Sequence, residues 1–241
     1  MNLIIDVGNT RTKLAVFKES KLIHNESISK ENFLKDTFEL IKKFNCKHAI
    51  ISSVGFLKKS ELAKLGSKIN LIELNSNTKV PFHNKYLTPK TLGVDRIALV
   101  ANAALKFPNK NVLVIDAGTC ITYDWIDSNG NYFGGAISPG MQMRYNSLHQ
   151  FTSNLPQLEV KYVDTFIGDS SENAIHIGVV YGVISEIDSF INLHKEKNDE
   201  LTVVLTGGDT NFLANKLKNS IFANRFFLME GLNTILIYNL K

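Results

Sequence analysis

The sequence predicts an α/β protein made of two duplicated domains that face each other across a cleft. Three observations carry that expectation. Short apolar runs rich in β-branched residues alternate with helix-periodic ones along the 241 residues. The segment LIIDVGNTRTKLAVF at the start is echoed by LVIDAGTCITYDWI about 110 residues later. A helical run that stops at Pro108 separates the copies, which divides the chain into domains 1–108 and 109–241.

The elements follow in order. NLIIDVG (2–8) reads as a buried strand ended by glycine, and TKLAVFKESKLI (12–23) continues it into a hairpin or meander that turns near Glu19 and Ser20. ENFLKDTFELIKKF (31–44) puts Phe33, Leu34, Phe38, Ile41 and Phe44 on one stripe, the spacing of a helix. HAIISSV is a strand, KKSELAKLGSK a helix and INLIEL a strand. A polar loop, 75–92, leads into the helix RIALVANAALKF. The pattern then restarts with NVLVIDAGTCITYDWIDSNG: strand, turn, strand, turn. A Gly-rich loop (134–140), a long helix from about Ser171 to Lys195, the strand LTVVLTGG, a helix over 210–219 and a last helix near 230–239 complete the second domain.

Composition narrows the function classes. The chain is 44% hydrophobic and 21% charged, with a net charge of +4 carried almost wholly by lysine. Lys42, Lys43, Lys58, Lys59, Lys64 and Lys68 are spread as solvated helix faces rather than clustered as a nucleic-acid patch. Cys46 and Cys120 form no CxxC pair, which points away from zinc cages and towards a reducing cytoplasm. The opening MNLIIDVGN reaches a carboxylate by Asp6, unlike a secretory leader, and no apolar run is expected to reach the ~20 residues that span a bilayer. The six histidines lack metal-ligand spacing.

Chemistry is concentrated at strand ends. Asp6 closes a buried strand, where a charge is costly unless paired or on a metal. Gly8 permits close backbone approach, and Asn9 and Thr10 add short polar side chains and amide N–H groups that can cradle phosphate. A plain Asx turn would explain this motif alone. Asp116, Gly118 and Thr119 repeat it, and two such carboxylates on central strands could hold a divalent cation and its phosphates. Lys13 is placed either to neutralise phosphate or as an exposed strand lysine. Gly207 and Gly208, in TGGD (206–209), leave room for a planar or phosphate ligand. Asp95 begins the helical run beside Arg96, so it suits an N-cap, a catalytic base, or both. Gly178 and Gly182 would allow close helix packing, within the chain or across a dimer. Neither GxxxxGK[ST] nor GxGxxG is present.

The twin Asp-x-Gly turns and the late Gly-Gly turn resemble the superfamily of acetate and sugar kinases, heat-shock ATPases and actin, an actin-like ATPase fold of two ribonuclease-H-like domains. Within it the chain resembles the type III pantothenate kinases. DVGNTRTK (6–13), YLTPKTLGVDR (86–96), DAGTCITYD (116–124) and GGAISPGM (134–141) carry the resemblance. GDSSENAIHIG (168–178) fits more loosely, with Ser171 where the family usually has threonine.

The resemblance implies ATP-dependent phosphorylation of pantothenate to 4'-phosphopantothenate, the first step of coenzyme A synthesis. It implies phosphate binding by Asp6, Gly8, Asn9, Thr10, Gly118 and Thr119, with Gly207 and Gly208 by the adenosine. Tyr86, Gly93, Asp95 and Arg96 would meet pantothenate, with Asp95 taking the hydroxyl proton. It further implies a homodimer in which Ser171 completes the partner's site. Mg²⁺ would lie near Asp6, through water, and a monovalent cation, K⁺ or NH₄⁺, on Asp116. A kinase for another small hydroxyl compound, a non-catalytic regulatory homologue and a metal-dependent nuclease are the competing readings.

Overall fold

The computed structural model describes residues 1–8, 11–53, 57–198 and 200–241. Its strands are β1 (Asn2–Val7), β2 (Thr12–Lys18), β3 (Lys21–Ile28), β4 (His48–Ser53), β5 (Asn70–Glu73), β6 (His83–Asn84), β7 (Asn111–Ala117), β8 (Cys120–Ile126), β9 (Asn131–Pro139), β10 (Leu201–Thr206) and β11 (Phe222–Ala223). Its helices are α1 (Phe33–Phe44), α2 (Lys59–Gly66), α3 (Val94–Lys106), α4 (Met141–Gln150), α5 (Ser171–Lys195), α6 (Thr210–Leu213) and α7 (Phe227–Asn239). They divide into two compact units. The first is Met1–Asn109 with Asn129–Phe133 and Phe226–Lys241; the second is Lys110–Ser128 with Gly134–Arg225.

In the first unit the strand order is β3-β2-β1-β4-β5. β1 runs antiparallel to β2 and parallel to β4. Leu3, Ile4 and Ile5 are all fully buried, as a central strand covered on both faces requires. Leu3, Ile5 and Val7 join a core with Phe33 and Leu40 of α1, while α7 packs along β1 and β4.

The second sheet repeats the scheme in the order β9-β8-β7-β10-β11, with β6 as a sixth strand beside β9. Here β7 is antiparallel to β8 and parallel to β10. The antiparallel partner, central strand and parallel partner therefore recur in the same arrangement in both halves. The duplication read from LIIDVG and LVIDAG is a duplication of topology. The protein is an α/β chain with two such sheets, as the sequence predicts.

Four expectations need correction. The segment 134–140 is not a loop: Gly134 to Pro139 lie within β9, where a side chain on Gly135 would run into the Tyr123 carbonyl of β8. The helix expected over 210–219 is the short α6. The last helix, α7, belongs to the first unit, together with 129–133, so packing does not follow the division at residue 108. Small residues allow this, since a side chain on Gly231 would strike the Ala98 carbonyl of α3. Asn102 Nδ2 donates to the Phe227 carbonyl at 2.9 Å, and Asn233 Nδ2 to that of Glu19 at 2.7 Å. Finally, α5 is long and apolar enough to cross a membrane, contrary to the expectation of no such run. Half of that stretch is buried, with Val179, Val183, Ile187 and Ile191 packed against Leu113, Ile115 and Val203 of the second sheet, so its apolar character serves a core.

Candidate functional site

The residues the sequence singles out gather in one cluster in each unit. In the first, Asp6 stands at the penultimate position of β1, only 7% exposed. Its register partners are Lys13 on β2 and Ser52 on β4. Burial lifts its carboxyl to about 6 and the Asp95 carboxylate adds to the rise, while the Lys13 ammonium and the Ser52 hydroxyl oppose it. The chain then turns: Gly8 N–H donates to the Arg11 carbonyl at 3.1 Å, a separation that a side chain on Gly8 would crowd. Asn9 and Thr10, expected in this turn, lie outside the described residues.

Asp95 is not the N-cap of α3. The helix begins one residue earlier, at Val94, and Gly93 occupies the cap position with extended backbone. Asp95 is thus in the first turn, where the helix dipole favours a carboxylate. Its Oδ1 accepts the Arg96 N–H at 2.8 Å and lies so close over Gly93 that any side chain there would collide with it. Glycine at 93 is a condition for that carboxylate's placement. Asp95 also lies within electrostatic reach of Asp6.

Arg96 is buried, with its guanidinium carbon 5.7 Å from the centre of the Tyr86 ring. Tyr86 in turn stacks on Tyr132, their ring centres 6.2 Å apart and planes within 14°. Tyr132 is fully buried on the segment of β9 that pairs with β6. So Gly93, Asp95, Arg96 and Tyr86 come together in this unit with Asp6.

In the second unit Asp116 takes the place on β7 that Asp6 holds on β1, with Thr122 and Thr206 as register partners. Gly118 N–H donates to the Cys120 carbonyl at 3.0 Å, and Gly140 N–H to that of Thr119 at 3.1 Å. The SPG end of the glycine-rich segment thereby braces the second turn. Gly207 has φ of 98° and packs against the Ala117 carbonyl and Asp116 Oδ1, leaving no space for a side chain. Asp209 N–H closes the joint on the Ala117 carbonyl at 3.0 Å. Asp116, Gly118, Thr119 and Gly207 are thus gathered in one place, with Gly208 exposed beside them.

Ser171 is the first residue of α5 and is exposed. It edges a groove of about 610 Å³ shared with Arg144, Leu148, Ile175 and Gly178. Arg144 is anchored there: its Nη2 donates to Glu186 Oε2 at 2.6 Å and its Nε to the Pro139 carbonyl at 2.9 Å. Tyr123 and Ser138 hydroxyls donate to the other oxygen of Glu186. Burial of Glu186 favours its neutral form, but Arg144, Ser138 and Tyr123 outweigh it and hold the carboxyl below its ordinary value.

Sequence reasoning missed Ser52, Thr122, Thr206 and Tyr132. The first three are defined only by strand register, and no local signal marks them. Tyr132 carried a weak one, an aromatic just after the Ser-Asn-Gly turn.

The profile of the type III pantothenate kinase family matches residues 2–193. The chain is 47% identical to the type III pantothenate kinase of Flavobacterium johnsoniae, over 100% of this chain and 99% of that one. Among solved structures, a conserved Baf family protein from Campylobacter jejuni, described as a transcriptional activator candidate, superposes with a TM-score of 0.66 at 23% identity, covering 99% and 98% of the two chains. A glucokinase from an Antarctic psychrotroph superposes with a TM-score of 0.54 at 12% identity, covering 98% of each. Both likenesses concern the fold.

Proposed function

The chain belongs to the type III pantothenate kinase family, and from that membership we infer that it transfers the γ-phosphoryl group of ATP to the hydroxyl of pantothenate, opening coenzyme A synthesis. The observation that carries the reading is the grouping of Asp95, Gly93 and Arg96 with Asp6 in the first unit. A carboxylate held over a glycine, next to a buried guanidinium, is what a small substrate with a hydroxyl and a carboxylate calls for. Arg96 meets the pantothenate carboxylate through its planar fork, with Tyr86 beneath the guanidinium. Asp95 accepts the proton of the attacking hydroxyl.

Phosphoryl transfer asks mainly for positioning and charge neutralisation. The turn after Asp6, including Gly8, Asn9 and Thr10, receives phosphate oxygens with Lys13 nearby, and Gly118 and Thr119 form the matching turn. Gly207 and Gly208 border the adenosine. Asp6 is a fit for Mg²⁺ held through water, because its buried carboxylate is raised towards neutrality and gains from a nearby positive charge. Bound there, the ion would neutralise phosphate charge. Asp116 suits a monovalent cation, K⁺ or NH₄⁺.

The working form is a homodimer in the cytoplasm, with Ser171 completing the partner's pantothenate site. Two features support it. A side chain on Gly178 or Gly182 of α5 would meet nothing within 4 Å beyond its own stretch of helix backbone, and Gly178 is exposed. Cys46 and Cys120 are free thiols, as a reducing compartment keeps them. A coupled assay of ADP release with pantothenate, Mg²⁺ and K⁺ tests the function. Turnover should require pantothenate, and ADP release indifferent to pantothenate would refute the reading.

A further inference from the structure

Tyr86 carries the ring on which the Arg96 guanidinium rests, yet it sits in a stretch with little structure of its own. Between Glu73 and Val94 the described chain forms only the two-residue β6 and one 3₁₀ turn, Pro89–Thr91. A half-buried ring on such a stretch needs a support from elsewhere in the unit.

Tyr132 supplies that support twice. Its carbonyl accepts the Lys85 N–H at 2.8 Å, beside a bond of the same length from the His83 N–H to the Gly130 carbonyl. Its ring lies nearly parallel to that of Tyr86, with 14° between planes and 6.2 Å between centres. Phe82 meets the Tyr132 ring edge-on, at 5.8 Å and 80°. Offset-parallel and edge-on are the two arrangements that aromatic rings prefer. Tyr132 and Phe82 are both buried, so packing holds them in place. The order therefore runs from two fixed rings, Phe82 and Tyr132, through Tyr86 to the Arg96 guanidinium.

The plane of that guanidinium is what a carboxylate reads, because a planar fork grips both oxygens only when the two groups are coplanar. An arginine stacked on a ring has its plane set before substrate arrives, which removes an ordering cost from binding. We propose that Tyr132 is a positioning residue for pantothenate: its ring fixes the plane of Tyr86, and Tyr86 fixes the plane of the Arg96 fork. The proposal rests on the kinase reading, in which Arg96 takes the pantothenate carboxylate. Tyr132 acts through Tyr86 and not by contact with substrate.

The test exchanges the Tyr132 side chain and leaves its backbone bond to Lys85 in place. Tyr132→Met fills the space without a plane, and Tyr132→Phe keeps the plane. Binding of radiolabelled pantothenate is measured by equilibrium dialysis without ATP, and each substrate is titrated in the steady state. Methionine should weaken pantothenate binding by about tenfold or more and leave KM for ATP within about twofold. Phenylalanine should keep pantothenate affinity within about threefold. In a Tyr86→Leu background the methionine exchange should add less than about twofold, because the ring it acts through is gone. If Tyr132→Met does not fold, Phe82→Leu decides in its place, with a loss of about threefold or more for pantothenate and none for ATP.

The proposal is overturned if the folded variant binds pantothenate as the wild type does, if pantothenate and ATP weaken alike, or if the full loss persists in Tyr86→Leu. A wild type that binds pantothenate without turning it over refutes the kinase reading, and weaker binding by the methionine variant then still sustains the positioning role. A wild type that does not bind pantothenate overturns both.

Discussion

Replacing Asp6 by Asn should stabilise the protein and disable it at once. The carboxyl is 7% exposed, and its value rises from 3.8 to about 6 on folding. A rise of this size in an acid means that the folded chain holds its proton more tightly than the unfolded chain does. Ionised Asp6 therefore costs stability. The cost is absent below the unfolded value, grows between 3.8 and about 6, and is complete above that. At about 1.4 kcal/mol per pH unit, the full cost near pH 8 is about 3 kcal/mol, falling to roughly half of that at pH 5. Asn has nearly the same shape and no charge to desolvate. For a chain of this size, the Asn variant should then melt roughly 6–12 °C higher at pH 8, with a distinctly smaller advantage at pH 5. Melting curves over pH 5–8 in metal-free buffer, with no nucleotide, measure it. Turnover should meanwhile fall by about a hundredfold or more, since the turn loses the charge proposed to face a divalent cation and phosphate. An Asn variant that melts no higher than wild type at pH 8, or by the same margin at both pH values, would refute the account of Asp6 as a strained, buried carboxylate.

Other substitutions separate placement from chemistry. Asp95→Asn keeps the side-chain oxygen that accepts the Arg96 N–H, so stability should change by less than about 1 kcal/mol in urea unfolding, while kcat falls by about 10²–10⁴. Gly93→Ala drives a methyl group into the Asp95 carboxylate and should lower kcat with little change in the affinity for ATP, measured by steady-state titration of each substrate. Glu186→Gln leaves Arg144 Nη2 without its ionic partner, and because that pair is about a quarter exposed the loss in urea unfolding should be about 1–3 kcal/mol.

Much of this architecture was legible because it is written locally. The buried run Leu3–Ile5, the stripe of Phe33 and Phe38, and the paired Asp-x-Gly turns need no knowledge of distant chain. What was not legible depends on approach between segments. GGAISPG looks like a loop because glycines punctuate it, yet Gly135 is there for the passage of the Tyr123 backbone, which no local pattern announces. Asp95 looks like a cap because its type caps well. The cap went instead to Gly93, since the carboxylate itself occupies the space where a side chain on 93 would go. The apolar α7 offers no hint that it crosses back to pack on α3.

The register partners show the same limit at the centre of the chemistry. Asp6 and Asp116 can be found by motif, but their neighbours Ser52 and Thr206 lie 46 and 90 residues further on and are joined to them only by parallel pairing. Motif comparison makes the two turns look equivalent. Register shows that they are not, because Lys13 and Ser52 flank one carboxylate and Thr122 and Thr206 the other. A duplicated fold thus keeps its strand order while the neighbours of its two carboxylates diverge. That divergence is sharpest on the antiparallel partner strand, with a charged Lys13 in one half and a neutral Thr122 in the other.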